Sequence, residues 1–411
     1  MGVLIEGIKP NVKISISDIQ NLLDKRKPKG KLTTKRKEND ELVILSGVFE
    51  GKTLGSPIVA IVYNKDAKSK DYTDIKDVFR PSHADFTFFK KYGIRDYRGG
   101  GRSSGRETVS RVIAGAVAIS FLSDKYNIEI ISKITQIGPF KTDKWDKTSD
   151  NLPFADETQL KDIEKYINSL HGDSIGAIIE SRIENLPLGI GEPVFEKLEA
   201  NIAKAVLSIG ATKGIEFGDG FDFANKKGSE VNDQMDKRGF LSNHSGGILG
   251  GISNGETVVF RTVIKPTPSI SKEQKTVNEN NQEVKIKING RHDPCIAIRV
   301  IPVINSMVAL SLLDLIGDSR LVEPKEKLEV LRDDISEIDK NIFLLLDERF
   351  NIVKKIIKYK KKKNIAIENK NIEQNLINKI QKLELKNLTN DFIKKLYNKI
   401  FNESKRIQKD D

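Results

Sequence analysis

Apolar and polar positions follow two different rhythms along this chain, and the change of rhythm divides it. Up to about residue 320, short β-rich runs alternate with apolar helical ones. Val3 to Ile8, Leu42 to Phe49, Pro57 to Tyr63 and Val258 to Lys265 read as strands, and Gly172 to Gly176 opens another. Asp18 to Leu23, after a cap-like Ser17, reads as a short helix, and the Ala-rich stretch Thr108 to Leu122 as a buried one. An amphipathic helix is predicted from Phe195 to Ile209 and an apolar one from Ser306 to Ile316, with a Pro266–Ser269 turn and an exposed Lys/Asn/Gln-rich hairpin between them. Beyond Asp318 to Pro324, Gly and Pro almost vanish while Lys, Glu, Asn, Ile and Leu take over. A second, all-helical domain therefore begins near Glu323, which gives domains 1–322 and 323–411. Its first helix keeps a 3-4 apolar spacing through Leu328, Leu331, Ile335, Ile338, Ile342, Leu345, Ile352 and Ile356. A second helix holds Ile372, Leu376 and Ile380, and a third holds Phe392, Leu396, Ile400 and Phe401 after a cap-like Thr389 to Asp391.

With 411 residues, 38% hydrophobic and 31% charged, the chain has room for two or three domains and a sizeable core. Cys295 is the single cysteine, which excludes a disulfide framework and a Cys-rich metal site, and fits the cytoplasm. The N-terminal apolar run stops at Glu6 and Lys9, so neither a signal peptide nor a membrane span is expected. The formal charge of +11 comes partly from the run Lys358 to Lys363, and small anionic substrates attract such charge as well as nucleic acid does. Without a zinc-finger or RNP motif, no nucleic-acid partner is expected.

Chemistry concentrates in glycine-dense segments. Asp96 to Ser110, DYRGGGRSSGRETVS, combines three consecutive glycines, Ser103, Ser104 and the arginines Arg98, Arg102 and Arg106 just before the buried helix, an arrangement suited to an anion at a helix N-terminus. It fits neither the Walker A nor the dinucleotide pattern, and the bland alternative is a solvated Gly/Ser loop. His83 lies about a dozen residues upstream in Arg80-Pro-Ser-His-Ala-Asp85, where a proton-transfer role competes with simple exposure. Lys25 to Lys37 is a basic loop able to grip phosphate. Gly210 to Asp222 and Ser242 to Ser253 interleave glycines with apolar residues, as close backbone approach requires. Arg291 and Asp293 share one turn, as a cation and base or as a local ion pair.

The motifs RPSHAD, YRGGGRSSGRET, GDGFD, NHSGGILGGIS, IKPTPSI and GRHDPC, in this order, resemble chorismate synthase over residues 1 to about 320. The resemblance implies an α+β fold with a β-α-β sandwich core, usually in a homotetramer. It implies a lyase that turns 5-enolpyruvylshikimate 3-phosphate into chorismate and phosphate, with reduced FMN and NADPH as a possible reductant. Carried over by motif, the FMN contacts are Arg102, Ser103, Ser104, Gly210, Ala211, Gly250, Lys265, Pro266, Thr267, Pro268, Ser269 and Arg291. Arg26 and Lys31 fall where the family's basic loop meets phosphate or NADP, with Lys31 in place of the usual Arg. His83 corresponds to the histidine that protonates the reduced flavin, and Asp293 to the acid beside flavin N5. The family pattern also carries a strand ending in Gly-Glu-Ser-His-Gly, with a second histidine, immediately upstream of the position of Met1. The expectation is that either the start lies further upstream or part of the site is lost.

The tail reads as an oligomerising coiled coil, yet Leu331 to Asp339, Leu345 to Arg349 and Lys360 resemble the all-helical chorismate mutases. Arg349 and Lys360 are eleven residues apart and share a helix face, whereas Arg332, 17 residues from Arg349, is roughly 26 Å away along the helix and must serve another site. The resemblance implies an intertwined dimer in which Arg332 reaches the partner's site, with Glu373 at the substrate hydroxyl, Ser404 and Gln408 beside it, and no cofactor or metal. Ile372 and Asn369 depart from the family's arginine and acid. The expected function is a fused chorismate synthase and chorismate mutase, converting chorismate on to prephenate. The alternative is an impaired synthase whose tail only dimerises or senses prephenate.

Overall fold

In a computed structural model, residues 1–29, 32–34, 39–64, 76–97, 101–149, 151–288, 292–318, 327–363, 370–383 and 385–410 are described. The chain divides into two compact units, Met1–Leu321 and Val322–Asp411.

Two antiparallel sheets of three and five strands organise the first unit, beside several two-stranded hairpins. Strands β1 (Gly2–Ile5), β2 (Leu42–Ser46) and β3 (Ile58–Val62) pair in the order β1-β3-β2. Strands β4 (Glu129–Ile137), β5 (Phe140–Lys141), β6 (Ala177–Glu184), β7 (Thr212–Phe217) and β8 (Val258–Ile264) pair in the order β5-β4-β6-β8-β7. In β6, Ala177, Ile179, Ser181 and Ile183 are buried and their neighbours are not, the period of two that a one-sided core imposes. The polar member of that row is satisfied: the Ser181 and Ser132 hydroxyls bond at 2.7 Å, and Ser132 Oγ donates to Asn305 Oδ1.

The helices are α1 (Ile16–Arg26), α2 (Asp85–Tyr92), α3 (Thr108–Tyr126), α4 (Leu160–Asn168), α5 (Leu198–Leu207) and α6 (Ala297–Asp318). Helix α3 packs on α1, α6 and the three-stranded sheet, while α6 packs on β4 and β6 of the larger sheet. The helical layer thus lies between two sheets, the β-α-β sandwich that the motif resemblance implied. Helices α3 and α6 approach closely at Gly115, where a Cβ would fall 2.1 Å from that of Ser306.

Several boundaries differ from the sequence reading. The cap of α1 is Ser15, whose hydroxyl accepts from the Asp18 N–H, while Ser17 lies inside the helix. Helix α5 is trimmed to Leu198–Leu207. Helix α6 begins at Ala297, well before Ser306, and runs through Pro302. A proline inside a helix costs about 3 kcal/mol, but the flanking Ile298, Val300, Val303 and Ile304 are all buried at about 1.5–3 kcal/mol each, so burial wins. This helix is also the one segment, Ala297–Gly317, long and apolar enough to cross a membrane among the described residues; here it packs against α3. The expected hairpin forms from β9 (Gln274–Val277) and β10 (Glu283–Ile286) and is tied to the loop before α2 by a Val78–Asn278 bridge and by Thr276 Oγ1 donating to Phe79 O.

The second unit comprises α7 (Lys327–Lys362), α8 (Lys370–Gln381) and α9 (Asn390–Asp410). Ile357, Ile377, Ile393 and Phe401 form its core, and Thr389 Oγ1 caps α9 by accepting from the Phe392 N–H. The apolar stripe of α7 is only partly used: Ile335, Ile338, Ile342, Leu345, Ile352 and Ile356 are exposed. Length explains it, because 36 residues span about 54 Å whereas the 12 residues of α8 span about 18 Å.

Candidate active sites

A cavity of about 710 Å³ opens in the first unit where the loop before α2, the start of α3, the α5–β7 turn, the end of β8 and the start of α6 converge. Its walls carry Arg26, Arg80, Arg106, Arg111, Arg299, Lys213 and Lys265 against Asp293 and Glu107, so the lining is cationic. Ser103, Ser104, Gly210, Ala211, Lys265, Thr267, Pro268, Ser269, His83, Asp293 and Arg26 all lie on this cavity, brought together from segments far apart in sequence.

The cradle is two 3-10 turns, Gly101–Ser103 and Gly105–Glu107, leading into α3. Gly101 takes φ +48, a left-handed conformation glycine adopts without strain. The Ser104 hydroxyl accepts from the Arg106 N–H, so it serves as a local cap. Arg111, one turn into α3, donates to Glu107 and to Ser208 Oγ at 2.6 Å, and so bridges α3 to the end of α5.

Behind the wall, the Asp40 carboxylate is fully buried between two of these arginines, accepting from Arg26 Nη2 at 2.6 Å and Arg106 Nη2 at 2.7 Å. Burial alone would raise the Asp40 carboxyl, but both guanidinium groups more than offset this and hold it below the usual range. Arg299 donates from Nε to Arg26 O and from Nη1 to Asp293 Oδ2, while the Thr34 N–H donates to Asp293 Oδ1. The Asp293 side chain is thereby held at the wall by Arg299, a partner the sequence reading had not named.

His83 follows Ser82, which holds φ +59, a strained conformation for a non-glycine residue. Lys265 stabilises that turn by donating from Nζ to Ser82 O at 2.6 Å and to Ser82 Oγ at 3.0 Å. Burial and the neighbouring Lys213 ammonium hold Lys265 below the ordinary lysine range. The His83 Nδ1 faces Asp85 Oδ1 at 2.9 Å and Arg80 Nη2 at 3.1 Å. Burial by itself would raise Asp85; hydrogen bonds from Arg80 and His83 more than offset that and hold its carboxyl well below the usual carboxylate range.

Not every expected residue joins this cavity. Gly250 sits in the turn between Ile248–Leu249 and Ile252–Ser253 and does not line it, because the glycines there serve a tight hairpin. Pro266 is also absent from the wall and is exposed. Arg98, Lys31 and Arg291 lie outside the described residues, as do the side chains of Arg102 and Gln408. Sequence reasoning missed Asp40, Thr34, Arg111, Lys213 and Arg299; the last stands six residues past Asp293 in the first turn of α6, a spacing hidden by the belief that the helix starts later.

In the second unit, a separate hollow on α7 is lined by Leu345, Glu348, Arg349, Ile352, Val353 and Ile356. Arg349 Nη1 donates to Ser404 Oγ at 3.0 Å, Ser404 Oγ donates to Ile400 O, and the Arg349 guanidinium stands 5.8 Å from the Phe401 ring. Glu373 pairs with Lys405 at 3.3 Å. Lys360 is on the same helix as Arg349 but outside the hollow, and Arg332 is exposed towards the other end of that helix. Asn369 lies outside the described residues, and Ile372 is exposed.

Comparison with known proteins agrees with both halves. Residues 1–316 match the family model of chorismate synthase, and residues 331–409 match that of chorismate mutase type II. A crystal structure of chorismate synthase is similar at TM-score 0.60 and 28% identity, over 83% of this chain and 94% of that one. With its cationic cavity built from the matched segments, this chain belongs to the chorismate synthase family and is an enzyme of aromatic biosynthesis that joins a phosphate lyase to a chorismate mutase type II isomerase.

Proposed function

We propose that the first unit converts 5-enolpyruvylshikimate 3-phosphate to chorismate in the 710 Å³ cavity with reduced FMN, and that the second rearranges chorismate to prephenate without a cofactor. The observation that carries the first half is the wall itself, which sets a ring of arginines and lysines around His83 and Asp293. The volume is in the range of a small-molecule site. The donor set suits a flavin phosphate and an anionic substrate. Thr212 Oγ1 and Thr267 Oγ1 are buried, on the wall, and without a hydrogen-bond partner among the described residues, as ligand-facing hydroxyls would be. Gly210 faces open space, where an added Cβ would meet nothing within 4 Å.

When bound, reduced flavin supplies the transient electron density that an elimination with no net redox change requires. The chain's own residues do the rest. Arg106, Arg111 and Lys213 orient and neutralise phosphate through charge-assisted bonds and stabilise the charge on the leaving group. His83 holds a proton at the wall, and Asp293, fixed by Arg299 and Thr34, presents a carboxylate to the same space. Arg26, committed to Asp40, acts as a wall cation.

In the second unit, Arg349 with Ser404, Glu373 and Lys405 offers cations and a carboxylate for a dianionic substrate held in a reactive shape. The exposed stripe of α7 supports a second copy covering it, which would bring Arg332 to the partner's hollow. The test uses the full chain under anaerobic conditions. Phosphate release from 5-enolpyruvylshikimate 3-phosphate should require reduced FMN, and prephenate should form from added chorismate with no flavin. Flavin-independent phosphate release would refute the first half; inertness towards chorismate would refute the second.

A further inference from the structure

Strand β7 is irregular where it meets the cavity. Thr212 and Lys213 are its first two residues, and both line the cavity, although neighbours in a regular strand face opposite sides. Pairing with β8 explains this: Thr212 stands opposite Ile264 and Gly214 opposite Val263, so Lys213 is an extra residue, a β-bulge. Bulges re-aim side chains and recur beside active sites. The turn feeding the bulge is strained, with Ala211 at φ +75, a left-handed conformation that a residue with a Cβ holds only under constraint. Part of that constraint is the Lys265 N–H, which donates to Ala211 O at 2.9 Å.

Charge along the wall is matched unevenly. Arg26 and Arg106 share Asp40, Arg80 meets Asp85, Arg111 meets Glu107 and Arg299 meets Asp293, so each of these arginines has a carboxylate in contact. The two wall lysines have none among the described residues. Lys265 Nζ donates to the neutral oxygens of Ser82, and Lys213 is exposed, with no hydrogen bond or ion pair to the described residues. Like charges repel: after burial, the Lys213 ammonium is what holds Lys265 below the ordinary lysine range. Two hydroxyls accompany the lysines. Thr212 is 6% exposed and its Oγ1 has no partner among the described residues; Thr267, three residues past the β8 partner of Thr212, also has a buried Oγ1 without one. A buried hydroxyl in this state carries a desolvation cost that a bound acceptor removes. Two unmatched cations and two idle O–H donors fit a phosphomonoester, which carries close to two charges on three acceptor oxygens. A carboxylate, with one charge and two oxygens, would leave part of the set unused.

We propose that the Thr212–Lys213 bulge, together with Lys265 and Thr267, forms the phosphomonoester subsite of the cavity. The two ammonium groups neutralise the dianion and the two threonine hydroxyls donate to its oxygens, so Thr212 and Lys213 select a phosphorylated ligand over its dephosphorylated form. This inference rests on the synthase reading, in which the flavin cofactor and the substrate are both phosphomonoesters, and the experiment separates these two sources.

The test compares the full chain with Thr212→Val, Lys213→Met and Lys237→Met, the last removing the same charge from an exposed position off the cavity. Calorimetric titration with inorganic phosphate should give a Kd raised about 10- to 100-fold in Thr212→Val and Lys213→Met, the span of one charge-assisted hydrogen bond, and unchanged in Lys237→Met. Thr212→Val should also raise the Tm of the ligand-free protein by removing an unsatisfied hydroxyl, whereas a structural role for that hydroxyl would lower it. Reduced FMN and reduced riboflavin then assign the source. If the subsite holds the flavin phosphate, the two cavity variants lose their preference for FMN by the same factor. If it holds the substrate's phosphate, that preference stays and binding of 5-enolpyruvylshikimate 3-phosphate to the flavin-loaded protein weakens instead. A parent that binds no phosphate overturns the proposal, as do affinities unchanged in both cavity variants, an equal loss in Lys237→Met, or a lower ligand-free Tm in Thr212→Val. A parent that binds phosphate through these residues but takes neither FMN nor the substrate refutes the synthase reading and leaves the subsite standing.

Discussion

Replacing Asp40 by Asn tests the electrostatic frame behind the cavity. The carboxylate gives one oxygen to Arg26 at 2.6 Å and the other to Arg106 at 2.7 Å. Asn keeps the shape but offers one acceptor and one N–H₂, so one arginine loses its carboxylate oxygen and meets a donor instead. Removing one partner of a buried ion pair costs about 3–5 kcal/mol. The Arg106 side chain is 15% exposed on the cavity side, which lets water relieve part of that loss and sets the expectation near the lower end, about 3 kcal/mol. Spread over the 321 residues of the first unit at about 2.1 cal/mol/K of unfolding entropy each, this lowers Tm by roughly 4–5 °C in calorimetry at pH 7. The pH dependence has a definite sign. Asp40 is held below the free value of 3.8, so its stabilisation is complete above that value and is lost as pH falls through its folded value. The gap between parent and variant should persist at pH 5 and narrow only below about pH 4. Because both arginines line the cavity, inorganic phosphate should stabilise the variant more than the parent. A variant that melts with the parent at pH 7, or a gap unchanged far below pH 4, refutes the reasoning.

Lys265→Met keeps the stem but removes both bonds to the strained Ser82 turn, so chorismate formation should fall at least about tenfold while prephenate formation from added chorismate is unchanged, as coupled assays would read. Gly115→Ala sets helix propensity, worth about 1 kcal/mol in favour, against a Cβ 2.1 Å from Ser306 Cβ and 2.4 Å from its Cα. Overpacking of that severity costs about 3 kcal/mol, so the urea midpoint should fall, with a net loss of about 2 kcal/mol. Arg349→Ala should cut prephenate formation about 10²-fold or more with far-UV circular dichroism and chorismate formation intact, since Ser404 alone carries no charge.

What the sequence disclosed and what it hid follow from the range of the interactions. The apolar run of α3, the β-rich run of β8 and the cap at Thr389 are local patterns, and they reappear with small shifts at their ends. Pro302 hid the first turns of α6 because a proline reads as a helix boundary, and only burial of Ile298 to Ile304 against the rest of the fold outweighs it. Motif order brought His83, Ser103, Lys265 and Asp293 into one site, since each motif carries its own chemistry. Asp40 carries none by itself: it lies just past a basic loop, its partner Arg106 is 66 residues away, and nothing local marks the pairing. Gly250 lies off the cavity wall in a turn between two short strands, a placement that its glycine-dense motif does not disclose.

On the proposed function, the two units meet the same demand, holding an anion, by different means, and the difference follows from how many cations each must crowd together. In the first unit Arg26, Arg80, Arg106 and Arg299 converge on one cavity, where like charges at close range repel. Two of the carboxylates that relieve this stand behind the wall: Asp40 is shared by two arginines and Asp85 is clamped by Arg80 and Arg95, both buried and neither lining the cavity. Placed there, they fix the guanidinium groups without competing for the ligand's position, and the site stays cationic towards its contents. In the second unit Arg349 has little crowding to offset, and a neutral hydroxyl, Ser404 Oγ, is enough to orient it without spending any of its charge. A chemistry that expels phosphate needs the crowded site with carboxylates behind it, whereas a rearrangement that only holds two carboxylates in place needs few cations and a rigid support.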